Sequence, residues 1–116
     1  MSGWTQQEAL TLCIFVEQVC PDYGCHVALT GGTLYKGGTR KDCDLLFYRI
    51  RQVPSIDVDG LLAALVRQVD FELGSRHGWV QKAFYHGKNL DLFFPDTPDD
   101  WGYPEPAPEF TGFDLP

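Results

Sequence analysis

Apolar residues recur at helical spacing early in the chain. Leu10, Ile14 and Phe15 form a stripe that Leu12, Val16 and Val19 widen. Thr5-Gln6-Gln7-Glu8 fits a capping box, in which the threonine hydroxyl and the glutamate carboxylate each satisfy a free amide at a helix start. Pro21 limits this helix near Val19–Cys20, because the residue before a proline is driven out of the helical region. His26-Val27-Ala28-Leu29-Thr30 then reads as a short buried strand ending at Gly31-Gly32. The Gly-rich basic loop GGTLYKGGTRK leads into a second strand over Asp42–Ile50. Asp57 is a natural N-cap for a second helix, whose Leu61, Leu62, Leu65, Val66 and Val69 fall on one face, with Gly74 as its C′ residue. Trp79–Tyr85 and Leu90–Phe94 read as a hairpin joined at His86-Gly87-Lys88. The predicted class is α+β, in the order α-β-β-α-β-β.

The periodic pattern stops at Pro95. Six of the eight prolines lie from there onward, so residues 1–95 read as one domain and residues 96–116 as an extended tail without its own core. Charge divides at the same place. The first 95 residues carry ten acids against nine bases, a net of −1, and the last 21 carry six acids and no base. The overall charge of −7 therefore describes the tail. An acidic chain argues against general nucleic-acid coating, although Lys36, Arg40, Lys41, Arg49 and Arg51 cluster locally. No apolar run approaches the roughly 18–20 residues that span a bilayer, and the start has no basic n-region or small-residue cleavage site. The expected location is cytoplasmic. Cys20 and Cys25 make a poor zinc half-site with no second ligand pair after it. Cys13, Cys20, Cys25 and Cys43 are expected to be reduced structural thiols.

The informative chemistry begins at Leu29-Thr30-Gly31-Gly32 and resumes at Asp42-Cys43-Asp44. Residues two apart on a strand share a face, so Asp42 and Asp44 present two carboxylates in parallel. Two such groups repel unless a cation lies between them, and Mg²⁺ or Mn²⁺ favours oxygen donors shared with phosphates. Gly31 and Gly32 let a backbone approach a polyphosphate closely, with Lys36, Arg40 and Lys41 nearby to neutralise it. Asp91 stands alone among apolar residues in Leu90-Asp91-Leu92, where an unpartnered buried carboxylate is costly. If its strand lies beside Asp42–Ile50, three carboxylates face one site and can hold two ions for phosphoryl displacement.

These three motifs, over about residues 25–95, resemble the minimal nucleotidyltransferases related to DNA polymerase β. The resemblance implies a small mixed or antiparallel sheet with helices packed on one face. It also implies transfer of a nucleoside monophosphate from an NTP to an acceptor hydroxyl on a protein, RNA or small molecule. Asp42, Asp44 and Asp91 would be the catalytic and metal-binding residues, with Asp91 helping to activate the acceptor. Gly31, Gly32, Thr33, Lys36, Arg40 and Lys41 would bind the nucleotide. A chain this short has no second domain to choose base or acceptor, and such members depend on a homo-oligomer or a protein partner. The rival reading is a non-catalytic module of the same fold that docks a protein partner.

Other readings fall away on chemistry. The stretch from Gly32 to Thr39 nearly spells a P-loop, but Gly38 replaces the lysine that motif requires. An Asp-x-Asp glycosyltransferase needs a much larger nucleotide-sugar domain. His77 and His86 sit near turns and are expected at the surface; Trp79, Phe84, Phe93 and Phe94 are expected in the core. The tail aromatics Trp101, Tyr103, Phe110 and Phe113 either staple the tail onto the domain or dock on a partner.

Overall fold

A computed structural model describes residues 3–31 and 39–95. Two helices and a five-stranded mixed sheet make up the α+β body, with a two-stranded ribbon beside it. In chain order the elements are β1 (Trp4–Thr5), α1 (Gln6–Val19), a short 3-10 turn (Cys20–Tyr23), β2 (Cys25–Thr30), β3 (Thr39–Arg40), β4 (Asp42–Arg49), α2 (Val58–Val69), β5 (Phe71–His77), β6 (Val80–Tyr85) and β7 (Lys88–Phe93).

The capping box forms as the residue pattern requires. Glu8 N donates to Thr5 Oγ1 at 3.1 Å, and Thr5 N donates to Glu8 Oε1 at 3.0 Å. Asp57 caps α2 by accepting from Gly60 N at 3.1 Å. The buried face of α1 is Ala9, Leu12, Val16 and Val19, while Leu10, Ile14 and Phe15 lie exposed. The expected stripe thus holds for Leu12, Val16 and Val19 and is corrected for Leu10, Ile14 and Phe15, since the buried face turns toward Ala9 instead.

A second correction concerns the end of α2. The helix stops at Val69, where Asp70 adopts a left-handed conformation (φ 64°) and its N–H donates to Leu65 O. Aspartate tolerates that region better than most residues because its short polar side chain can bond locally. Gly74 is therefore no helix cap. It lies in β5, a strand absent from the expected α-β-β-α-β-β order, as the β1–β3 ribbon is too.

Strand order across the sheet is β2-β4-β7-β6-β5. All neighbours run antiparallel except β4 and β7, which pair in parallel. Alternation along each strand sends Cys25, Val27 and Leu29, Cys43, Leu45 and Phe47, and Leu90 and Leu92 into one core. Phe47 and Phe94 stack there with centroids 4.7 Å apart. Phe94 is buried as expected, whereas Trp79 and Phe84 are exposed. Phe84 lies on the β6 face that turns away from the core, and Trp79 lies in the turn just before β6.

At one sheet edge, α1 covers β2. Glu17 accepts from Val27 N at 3.0 Å and holds His26 Nδ1 at 2.6 Å. At the other edge β5 changes register between Leu73 and Arg76. The buried Gln81 secures this bulge: its Nε2 donates to Gly74 O and Lys82 O, both at 2.9 Å, and its Oε1 accepts from Arg76 Nε at 3.2 Å. No helix among the described residues is long and apolar enough to cross a membrane.

Candidate active site

The sheet face opposite the core carries the charged residues. Because β4 and β7 pair in parallel, Asp44 stands directly beside Asp91, and Asp42 beside Asn89. Thr30 on β2 flanks Asp44 on its other side. The condition that the Asp91 strand lie beside the strand expected over Asp42–Ile50, observed as Asp42–Arg49, is thus met, and the three aspartates share one face. Asp42 and Asp91 line a cavity of about 310 Å³ with Ser75, Lys82, Phe84 and Asn89.

Gly31 closes the end of β2 with φ 77°, a left-handed backbone that suits glycine. A Cβ at this position would collide with the Asp44 carboxylate. The glycine is thus required twice, for its turn and for the close approach of its backbone to an acid. Burial pushes the Asp44 carboxyl above its ordinary range, and the negative charges of Asp91 and Asp42 push it further. Lys82 and Arg40 act in the opposite direction.

Arg40 reaches this neighbourhood by a route that residue patterns did not disclose. It pairs with Trp4 in the β1–β3 ribbon, and the Trp4 indole donates to Asn89 O at 2.7 Å. The ribbon is therefore bolted to the start of β7, beside Asp42. Lys41 is exposed. Gly32, Thr33 and Lys36 lie outside the described residues, as do residues 96–116 with Trp101, Tyr103, Phe110 and Phe113.

Lys82 is the residue that sequence reasoning missed. Its Nζ lies 2.6 Å from Asp91 Oδ1. The signal was present in the hairpin. His86 (φ 50°) and Gly87 (φ 81°) make a two-residue turn, so Tyr85 pairs with Lys88, and counting outward pairs Lys82 with Asp91. Reading the turn as His86-Gly87-Lys88 hid this register.

As donors, three carboxylates without sulfur or imidazole suit a hard divalent cation such as Mg²⁺ or Mn²⁺. The like charges around Asp44 are the kind of penalty that such an ion removes. Among the described residues, however, no three His, Cys, Asp or Glu side chains form a group able to grip a metal ion, so the aspartates share a face rather than a common point.

The remaining chemistry-bearing groups lie elsewhere. Cys25 Sγ donates to Cys20 O at 3.7 Å, and all four cysteines are free thiols. The Cys20 thiol is pushed far up by its bond with Cys25 and by burial, and burial also raises Cys13. Neither has the thiolate character of a nucleophile. His86 stacks on Tyr85 with centroids 4.0 Å apart, and His77 accompanies Ser75; both are exposed. A second cavity of about 310 Å³, between α1 and the β6–β7 hairpin, is lined by Trp4, Phe15, Tyr85 and Lys88 but brings no carboxylates together. No protein-family model matches the chain, and no curated protein matches it.

Proposed function

We propose that this chain is a metal-dependent nucleotidyltransferase that moves a nucleoside monophosphate from an NTP to an acceptor hydroxyl. The observation that carries the reading is the parallel β4–β7 pairing, which sets Asp44 beside Asp91 with Asp42 on the same face and Gly31 pressed against Asp44. Asp42, Asp44 and Asp91, which share a face but are not gathered into a closed metal-binding group, would have to draw together to hold Mg²⁺ or Mn²⁺. When bound, such an ion activates the α-phosphate and stabilises the departing pyrophosphate. The chain's own part is positioning and electrostatics. Gly31 gives a triphosphate room to approach the backbone at the end of β2, Arg40 places positive charge near Asp44, and Asp91 is the acid placed to accept the acceptor's proton. A homo-oligomer or a protein partner would supply the acceptor contacts.

A calorimetric titration of the four NTPs, with and without Mg²⁺, tests this on the wild-type chain and on Asp42→Asn/Asp44→Asn. The expected outcome is Mg²⁺-dependent binding of at least one NTP that disappears in the double variant. If no NTP binds under either condition, the reading falls and the non-catalytic docking module takes its place. One observation favours that second reading: the ammonium of Lys82 partners Asp91 at 2.6 Å.

A further inference from the structure

Lys82 on β6, Asp91 on β7 and Asp44 on β4 form one row across three neighbouring strands. Their order is cation, anion, anion. Strands lie about 4.8 Å apart, so the Lys82 charge stands within roughly 10 Å of the Asp44 carboxylate as well as against Asp91. The two ends of this ion pair differ in exposure. Asp91 is held in place with 16% of its side chain exposed, whereas Lys82 is 46% exposed at the end of a flexible stem.

The neighbouring strand leaves that stem room. Gly74 on β5 faces it, and a Cβ there would press to 3.3 Å on Lys82 Cβ and 3.2 Å on the Phe84 ring. The glycine keeps side-chain bulk off the base of the stem, and the solvent exposure of Lys82 leaves its outer end open to move. The ammonium thus occupies a carboxylate that a divalent ion would need, on a side chain free to yield it.

We infer that Lys82 is a tethered counter-cation, which neutralises the acidic row when no metal is bound and releases Asp91 when a divalent ion arrives. It is a positioning residue that sets the affinity of the site for its metal. This inference rests on the reading of the three aspartates as a metal site.

Mn²⁺ binding to the full chain, followed by the paramagnetic resonance of free Mn²⁺, tests both statements. Lys82→Met removes the charge and keeps the stem, and is expected to bind Mn²⁺ about tenfold tighter, the effect of one lost competitor of moderate strength. Lys82→Arg keeps the charge and is expected to stay within about twofold of the wild type. A second measurement needs no variant. Mg²⁺ should raise the acylation of Lys82 in the wild-type chain relative to Lys88, which pairs with Glu8 at 3.0 Å away from the acidic row. An unchanged affinity in a folded Lys82→Met chain, or an unchanged acylation pattern in a wild type that binds metal, overturns the inference and leaves the metal site standing. If neither the wild type nor Lys82→Met binds Mn²⁺, while both melt cooperatively, the metal-site reading falls and the inference with it.

Discussion

Asp44 combines the conflicts of the site in one side chain. It is partly buried, it faces two other carboxylates, and a glycine backbone lies against it. Its folded-state pKa is raised, so between the ordinary aspartate range near ~3.9 and that higher value the folded chain binds more protons than the unfolded one. Stability from this group therefore falls as pH rises through that window, and the penalty is fully present at neutral pH. Asp44→Asn is expected to melt no lower than the wild type at pH 7, and higher if the penalty is unrelieved. The difference should shrink as pH falls toward the ordinary carboxylate range. A series of melting curves for the two chains from acid to neutral pH checks the sign. A residue whose removal stabilises the fold while abolishing metal-dependent NTP binding is held there for function. Both aspartates of the Asp-x-Asp pair and the lone Asp91 were legible as residues. The charge opposite them was not, because Lys82 acquires its meaning only from strand register.

At the scale of elements, local chemistry was the most readable. The Thr5–Glu8 box and the Asp57 cap are satisfied by atoms three residues apart, so the sequence itself names both partners. β2, β4 and the hairpin lie within a residue or two of their expected ends. Failures came where a tertiary choice overrode a local preference. A glycine was expected to end α2, yet Asp70 does so, which frees Phe71–His77 to form the fifth strand. That strand owes its shape to Gln81, a polar side chain 3% exposed and engaged on every side. Gln81→Leu would leave the bulge carbonyls of Gly74 and Ser75 without their amide donor, at a cost of about 1–3 kcal/mol. Denaturant titration measures this directly. Amide exchange in β5 should accelerate more than in β2, whose outer edge α1 covers through Glu17 and Val27.

For the whole molecule, one core lies between the helices and one face of the sheet, and the acidic row lies on the other face. The alternation of apolar and polar residues along β4 and β7 made this division legible, because Cys43, Leu45, Leu90 and Leu92 alternate with Asp42, Asp44 and Asp91. Which apolar side chains of α1 turn inward was not, since Ala9 and Leu10 carry similar weight in a periodic pattern. The Phe47–Phe94 stack joins β4 to the residue just after β7, so it braces the two strands that carry the acids. Phe47→Ala should cost about 3–5 kcal/mol, a large share of the ~5–15 kcal/mol by which domains are usually stable. Its measure is a lowered unfolding midpoint in guanidinium.

The parallel contact between β4 and β7 has a consequence in time. Asp42 and Asp44 are synthesised long before Asp91, and α2, β5 and β6 must all be made before β7 can be laid beside β4. A nascent chain released only as far as β6 carries two acids and no third, with Lys82 still lacking its partner. The acidic row thus comes into being at the last pairing of the sheet, when the longest loop closes. A half-made chain has no assembled acidic row, so on the proposed reading any activity would arrive only together with the finished fold.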